Sequence, residues 1–290
     1  MESLQEAVVG WYAANARDLP WRSPAATPWA VLVSEFMLQQ TPVARVLPAY
    51  ERWLADWPTP GALAATSTGA AIRAWGRLGY PRRAVRLHAA ATAIVERHGG
   101  AVPSSYPELL ALPGVGTYTA SAVASFGFGR RHAVLDTNVR RVLTRLLDGV
   151  AFPPPAPGRA ERAAAERLLP LDGRAAAVWS VGVMELGALV CTAGSPACER
   201  CPVAARCAWL AAGRPAYDGP PRPVQGYAGT DRQCRGRLLA ILRDSEGPVR
   251  HDRLEAAWSP AAQRDRCLAS LLEDGLATRV SDSPATYALP

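Results

Sequence analysis

Four cysteines stand at positions 191, 198, 201 and 207, a C-x6-C-x2-C-x5-C run. Four thiolates this close can close a tetrahedral site around one zinc ion or ligate one iron–sulfur cluster; spacing alone leaves both open. Cys234 and Cys267 lack such spacing and read as ordinary buried thiols. Two carboxylates stand out next. Glu35 is the only charged residue between Arg22 and Arg45, and on a helix it shares a face with Val31, Leu32 and Leu38. Desolvation on such a face favours the neutral carboxylic acid, which suits general-acid work; a structural glutamate paired with an arginine fits the same pattern. Asp136 precedes the amphipathic run Thr137–Leu143. It reads either as a helix N-cap or as an anion facing a developing positive charge, which an oxocarbenium-like transition state requires beside an acid for the leaving group. Finally, Leu112-Pro113-Gly114-Val115-Gly116-Thr117 sets two glycines at the start of a helix. Without Cβ atoms a phosphate can approach free backbone N–H groups at a positive helix end. A plain helix–helix connection is the alternative. Between two helices of a basic chain, the turn points to a helix–hairpin–helix grip on DNA phosphate.

The composition narrows the setting. The chain has 290 residues, a net charge of +7, 49 % apolar and 20 % charged residues. That is enough to bury a core, and the charge favours a polyanionic partner. All 32 basic residues are arginine, as codon bias in a GC-rich genome produces. No side chain can therefore form a lysine Schiff base. Clustered cysteines argue for a metal or cluster site rather than a secreted disulfide framework. No uncharged apolar run is long enough to span a bilayer. The opening Met1-Glu2-Ser3-Leu4-Gln5-Glu6 is no secretory signal, so a cytoplasmic location is expected.

Elements to position these groups follow from periodicity. Residues 1–212 read as mostly helical. Pro28 and Pro42 are placed to open helices, and Gly61, Gly79, Gly99-Gly100, Gly149 and Gly173 to break them. Leu109 to Phe128 reads as helix, turn, helix, and Asp136 to Leu147 as another helix. Phe152–Gly158 is proline-rich and reads as a surface loop; 213–230 reads as a linker. Beyond it, helices near 232–243, 252–257 and 260–274, a short strand at Val249 and a hairpin over 276–289 suggest a winged-helix-like α+β unit.

Taken in order, Leu-Pro-Trp-Arg at 19–22, Ser-Glu-Phe-Met-Leu-Gln-Gln-Thr at 34–41, Leu-Gly-Tyr at 78–80, the Pro-Gly-Val-Gly turn, Leu-Asp-Thr-Asn-Val-Arg-Arg-Val-Leu at 135–143 and the four cysteines resemble the MutY family of adenine DNA glycosylases, within the endonuclease III superfamily. The likeness runs over about residues 5–210. It implies a mainly α, two-lobed helix-hairpin-helix glycosylase. Residues 1–21 and 133–212 would form the lobe carrying a 4Fe-4S cluster on Cys191, Cys198, Cys201 and Cys207. Residues 22–132 would form a six-helix barrel, with 231–290 the added winged-helix-like domain. It implies removal of adenine mispaired with 8-oxoguanine or guanine in double-stranded DNA, by a monomer. Glu35 would protonate the adenine and Asp136 stabilise the oxocarbenium, with Tyr118 and Asn138 beside them. Arg22 would contact the base; Gln39, Gln40 and Tyr80 would probe the duplex, and Gly114, Val115 and Gly116 would hold phosphate.

Three features depart from that pattern. Val181 replaces a glutamine or glutamate near the adenine, and Thr192–Ala197 lacks the usual basic residues. The family's nudix-like C-terminal domain is replaced by about 60 residues of different pattern. A G:T or G:U mismatch glycosylase of the same superfamily is the second enzyme reading. Bifunctional repair of oxidised pyrimidines would need a lysine where Tyr118 stands. A non-catalytic iron–sulfur DNA-binding regulator is the reading from a different class.

Overall fold

The computed structural model describes residues 3–219 and 226–290. Residues 220–225 of the expected linker, and Met1 and Glu2, lie outside the described residues. The helices of the first half are α1 (Leu4–Asn15), α2 (Pro28–Leu38), α3 (Val43–Asp56), α4 (Pro60–Ala64), α5 (Thr68–Trp75), α6 (Arg82–His98), α7 (Tyr106–Leu110) and α8 (Thr117–Ala122). Then come α9 (Thr137–Leu143), α10 (Arg159–Leu168), α11 (Gly173–Leu189), α12 (Ala208–Ala211) and α13 (Asp231–Arg243). The chain ends with β1 (Val249–Arg250), α14 (His251–Glu255), α15 (Ala261–Glu273), β2 (Thr278–Asp282) and β3 (Ala285–Ala288). This is a mainly α fold with a small C-terminal α+β part, as expected. Among the described residues no helix is long and apolar enough to cross a membrane.

Helix starts follow side-chain capping. Ser3 and Glu6 form a reciprocal capping box on α1, and Thr59, Ser67, Ser105, Asp136, Asp172 and Thr230 each accept a backbone N–H of the helix that follows. Two expected breaks are corrected. Gly61 lies inside α4, behind the Thr59 cap and Pro60, and Gly173 is the first residue of α11, behind the Asp172 cap. In both, the capping residue outweighs the conformational cost of glycine. Pro42 occupies the N-cap position of α3, one residue before the first turn. α8 and α9 each run on into a wide π turn, Val123–Gly127 and Thr144–Asp148.

The chain divides into two compact units. The first comprises residues 1–32, 104–111 and 115–221. Its core gathers Val8 of α1, Val139, Val142 and Leu143 of α9, and Trp179, Val183 and Leu186 of α11. α11 lies close to both neighbours because the residues at the two contacts, Gly182 and Gly187, are glycines. A Cβ on Gly182 would meet Val8 Cγ1 at 3.2 Å, and one on Gly187 would meet Asn138 Cβ at 2.7 Å. Glu185, between them, is fully buried. Arg17 donates to its two oxygens from Nε (2.8 Å) and Nη2 (2.7 Å), and Arg22 Nη2 lies 2.9 Å from Oε2. Burial alone would raise its carboxyl; the hydrogen bonds and charge of the two arginines overcome that and hold it down at about 2.

The second unit comprises residues 33–103, 112–114 and 222–290. α4 and α5 pack on α6, and Trp53 meets Trp57 and Trp75 edge-on at 4.6 and 5.6 Å between ring centroids. α13 packs on α15, and the strands form one antiparallel sheet in the order β1-β3-β2, with Val249 opposite Tyr287.

Glu185→Gln leaves two arginines without their shared anion, so chemical unfolding should show a loss of about 3–5 kcal/mol. The native carboxyl titrates below its ordinary 4.5, so its contribution should be complete above that pH and vanish as pH falls toward 2. The pH dependence of the unfolding free energy, wild type minus variant, measures this.

Candidate functional site

The two carboxylates are placed by different means. α2 is apolar almost throughout, and Glu35 within it is only 6 % exposed. It belongs to the second unit; Asp136, Tyr118 and Asn138 belong to the first. Asp136 is the N-cap of α9: Oδ1 accepts from Val139 N at 2.6 Å and Oδ2 from Asn138 Nδ2 at 2.8 Å. Both oxygens are thus fixed in direction. Burial pushes the Asp136 carboxyl above its ordinary 3.8, against the pull of those donors and of the Arg141 charge. Asn138 is oriented in turn by Arg141, whose Nη2 donates to its Oδ1 at 2.8 Å and to the Gly187 carbonyl at 2.7 Å. Tyr118 lies in the first turn of α8, half-buried. Arg22 is spent largely on Glu185, with its Nη1 buried and unbonded. Val181, one helical turn before Glu185 on α11, is partly exposed.

The residues expected to probe a duplex sit on two turns held by one side chain. Gln40 and Tyr80 both adopt left-handed backbone, at φ 54° and 47°. Neither is glycine, so each conformation needs support. Arg83, 5 % exposed, supplies it. Its Nη1 donates to the carbonyls of Phe36, Met37 and Gln39 at 2.6–2.8 Å. Its Nη2 donates to Thr41 Oγ1 at 2.8 Å and to the Gly79 carbonyl at 3.0 Å. One guanidinium therefore ties the turn carrying Gln39 and Gln40 to the turn carrying Tyr80, which is 45 % exposed.

In the Pro-Gly-Val-Gly turn Gly114 has φ 77°, and a Cβ there would lie 2.6 Å from Arg86 Cβ. Val115 is buried, while Gly114 and Gly116 are exposed, and Gly116 is the N-cap of α8 with no side chain to cap it. The first-turn N–H groups of α8 are thus not closed off by a capping side chain, as a phosphate site requires.

Cys191, Cys198, Cys201 and Cys207 line one pocket together with Arg145, Val190, Pro196 and Trp209. Among the described residues no three potential ligands converge on a single-ion site. The donor set, four cysteine sulfurs around one pocket, fits a cluster. Burial pushes the Cys201 thiol up to about 11, and its three sulfur neighbours push the same way. Four thiolates need cations among them, which cluster irons provide. Arg145 organises the rim: it donates to Cys191 Sγ (3.3 Å) and to the carbonyls of Ala151 and Thr192 (3.0 and 2.8 Å), and it lies 4.4 Å from the Trp209 ring. Arg83, Arg141, Arg145 and Glu185 were not among the sequence candidates. A buried organising arginine and a solvated one have no distinguishing pattern in a chain with 32 of them.

Residues 33–168 match the HhH-GPD superfamily of base excision DNA repair proteins, and residues 191–207 the iron–sulfur binding domain of endonuclease III. The chain is 52 % identical over 284 residues to an adenine DNA glycosylase of Mycobacterium tuberculosis, covering 98 % of this chain and 92 % of that one. It is 36 % identical over 207 residues to a thymine-DNA glycosylase of Aeropyrum pernix, covering 70 % and 92 %. A solved thermostable thymine-DNA glycosylase superposes at TM-score 0.66 with 27 % identity, over 72 % of this chain and 95 % of that one. Endonuclease III in complex with DNA shares the fold, at TM-score 0.60 and 22 % identity over 71 % and 94 %. The segment 191–207, which carries the four cysteines, is therefore an iron–sulfur binding segment.

The purified protein should be brown and contain about four irons and four sulfides per chain. Cys198→Ser should lose that absorbance and expose 191–207 to protease. Zinc at one per chain, with no visible absorbance, would contradict the assignment.

Proposed function

The chain belongs to the HhH-GPD superfamily of base excision DNA repair proteins, among its adenine DNA glycosylases, and we propose that it releases adenine paired with 8-oxoguanine or guanine in double-stranded DNA. The observation that carries this reading is Glu35, the one carboxylate of a buried apolar helix, within a chain similar along its whole length to adenine DNA glycosylases. In this reading 1–21 with 133–212 form the cluster lobe, 22–132 the six-helix barrel and 231–290 an added winged-helix-like domain. The enzyme works as a monomer in the cytoplasm, at the nucleoid.

The adenine must leave the stack before its glycosidic bond is reachable. Tyr80 and Gln40, on turns made rigid by Arg83, occupy the opened duplex, while the N–H groups after Gly114 hold backbone phosphate. Glu35, buried in α2, acts as the general acid and gives its proton to a ring nitrogen of the base. The bonding pair of the N-glycosidic bond leaves with the base, and positive charge grows on the sugar. Asp136, its carboxylate aimed by Val139 and Asn138, faces that charge, and water adds to complete hydrolysis. Tyr118 and Asn138, of the same unit as Asp136, act with it. The cluster contributes structure to the 191–207 loop, and no step of base release runs through it.

Asp136 carries a cost in this role. A carboxyl raised in the fold is unfavourable once ionised: below 3.8 there is no penalty, and stability is lost as pH rises through the raised value. Asp136→Asn keeps the N-cap oxygen for Val139 and removes the charge. The Asn138 amide loses its acceptor, which offsets the relief of removing a buried charge, so the melting temperature should stay close to wild type while single-turnover excision falls about 10²–10³-fold. A stable variant with near-normal excision would reduce Asp136 to a cap.

Glu35→Gln should lower excision about 10²–10⁴-fold with duplex binding retained. Base release from A:8-oxoG, A:G, T:G and U:G duplexes separates the adenine reading from the thymine-DNA glycosylase reading that the Aeropyrum relative suggests. Borohydride should trap no enzyme–DNA adduct, because no lysine is available to form an imine. Efficient trapping would make the terminal amine a nucleophile and the enzyme bifunctional.

A further inference from the structure

The Tyr80 ring has a guanidinium near it from each of two elements. Arg83 of α6 lies 5.5 Å from its centroid and Arg232 of α13 lies 5.4 Å from it. Arg232 also lies 5.7 Å from the ring of Tyr227, so Tyr227, Arg232, Tyr80 and Arg83 form one alternating series of aromatic rings and cations. Arg83 cannot follow the ring, because its donors are committed to the two turns. Arg232 reaches the ring from a different part of the chain and is itself exposed.

α13 is anchored where it delivers Arg232. Asp274, at the end of α15, pairs with Arg235 on α13, three residues from Arg232, and with Arg82, two residues from Tyr80. At the other end of α13, Arg243 donates to the Gly76 carbonyl, and Arg73 of α5 donates to the carbonyl of Arg243. The chain terminus closes the arrangement: Gly69 N donates to the Pro290 carbonyl at 2.6 Å, and a Cβ on Gly69 would lie 2.3 Å from that oxygen. The segment 231–290 is thus bonded to α5 and α6 at three separate places, all within the second unit.

We propose that Arg232 is a positioning residue for Tyr80: the C-terminal segment, through this guanidinium, sets the ring that enters the duplex beside the mispair. The proposal rests on the reading of Tyr80 given under the proposed function. It assigns the C-terminal segment a task other than holding phosphate. A flat guanidinium over a phenol face fixes the plane of the ring, which a lysine ammonium does not do. Substitution of Arg232 should therefore change how the mispair is opened, and leave affinity for undamaged duplex unchanged.

The test uses the full-length chain with its cluster. Arg232→Met removes the charge and planarity, and Arg232→Lys keeps only the charge. Arg237→Met removes a neighbouring α13 arginine that faces Trp258 instead. In carbon-13 tyrosine-ring spectra, Arg232→Met should move the Tyr80 resonance, assigned with Tyr80→Phe, and Arg237→Met should not. In single-turnover excision from A:8-oxoG, Arg232→Met should cost about 2–5-fold, the size of an exposed cation–ring contact. Arg232→Lys should recover only part of it. In a Tyr80→Ala background Arg232→Met should cost nothing further, because its target is gone. An unmoved Tyr80 resonance overturns the proposal. So does an equal cost in both backgrounds, or a uniform loss of affinity for all duplexes with a shallower salt dependence, which marks a phosphate contact. The spectra need no base release. An unaltered enzyme that excises no adenine overturns the proposed function instead, and the ring shift still reports on Arg232.

Discussion

Much of this structure depends on guanidinium groups that are buried and bonded to carbonyl oxygens. Arg83 spends its donors on the carbonyls of Phe36, Met37, Gln39 and Gly79 and the hydroxyl of Thr41. Arg141 takes the carbonyls of Cys191 and Gly187 and the side chain of Asn138. Arg145 takes those of Ala151, Thr192 and Ala193 and one cysteine sulfur. Each gathers backbone that no regular element would pair: the two turns with left-handed Gln40 and Tyr80, the start of α9, and the loop of the cysteines. Burial lowers Arg83 to about 10, still far above neutrality, so the group remains charged and keeps all five N–H donors. A lysine would offer three donors from one point and lose its proton far more readily on burial. A composition explained by codon bias thus has a structural use. The absence of lysine removes one kind of catalysis, and arginine provides the bridging that fixes the remaining chemistry in place.

These hubs also connect tasks. Arg141 holds Asn138 and, through the Cys191 carbonyl, the first residue of the cysteine run. Arg145, four residues on, bonds the sulfur of that same Cys191. The helix that Asp136 caps therefore contacts the cysteine loop through two arginines of a single turn. The loop 191–207 has little regular structure of its own, with two short 3₁₀ turns at Cys198–Arg200 and Ala204–Arg206. It takes its form from the arginines and from the cluster its sulfurs ligate.

The sequence made legible what depends on spacing and on local capping. The cysteine run, the Pro-Gly-Val-Gly turn, the N-cap at Asp136, and the helix, strand and hairpin order after residue 231 all follow from short-range rules. Gly61 and Gly173 were misread because glycine was weighed without the Thr59 and Asp172 caps directly before it. The hubs were not legible for another reason. Arg83 meets partners more than 40 residues away, and nothing in Pro81-Arg82-Arg83 says which arginine turns inward: Arg82 is exposed and Arg83 is not. Left-handed Gln40 and Tyr80 likewise carry no local signal, since the support for their backbone comes from α6. The placement of Arg232 over Tyr80 depends on tertiary packing of segments about 150 residues apart.

Asp136 shows why structural and catalytic readings of a residue need not compete. As an N-cap it accepts from Val139; as an anion it must stay charged where burial disfavours charge. Asparagine satisfies the first demand without the electrostatic penalty, but its one oxygen leaves the Asn138 Nδ2 donor without an acceptor. Burial therefore favours a neutral cap, while the Val139 and Asn138 donors and the Arg141 charge favour the carboxylate. Asn138 and Arg141 make the two demands compatible, because they stabilise the ionised form without forming a direct salt bridge that would neutralise it. A direct pair with arginine, as at Glu185, would hold the carboxyl near 2 and engage both its oxygens. The chain contains both solutions on neighbouring helices: a carboxylate paired directly with two arginines, and one held a bond away from its arginine, as the role proposed for Asp136 beside a developing cation requires.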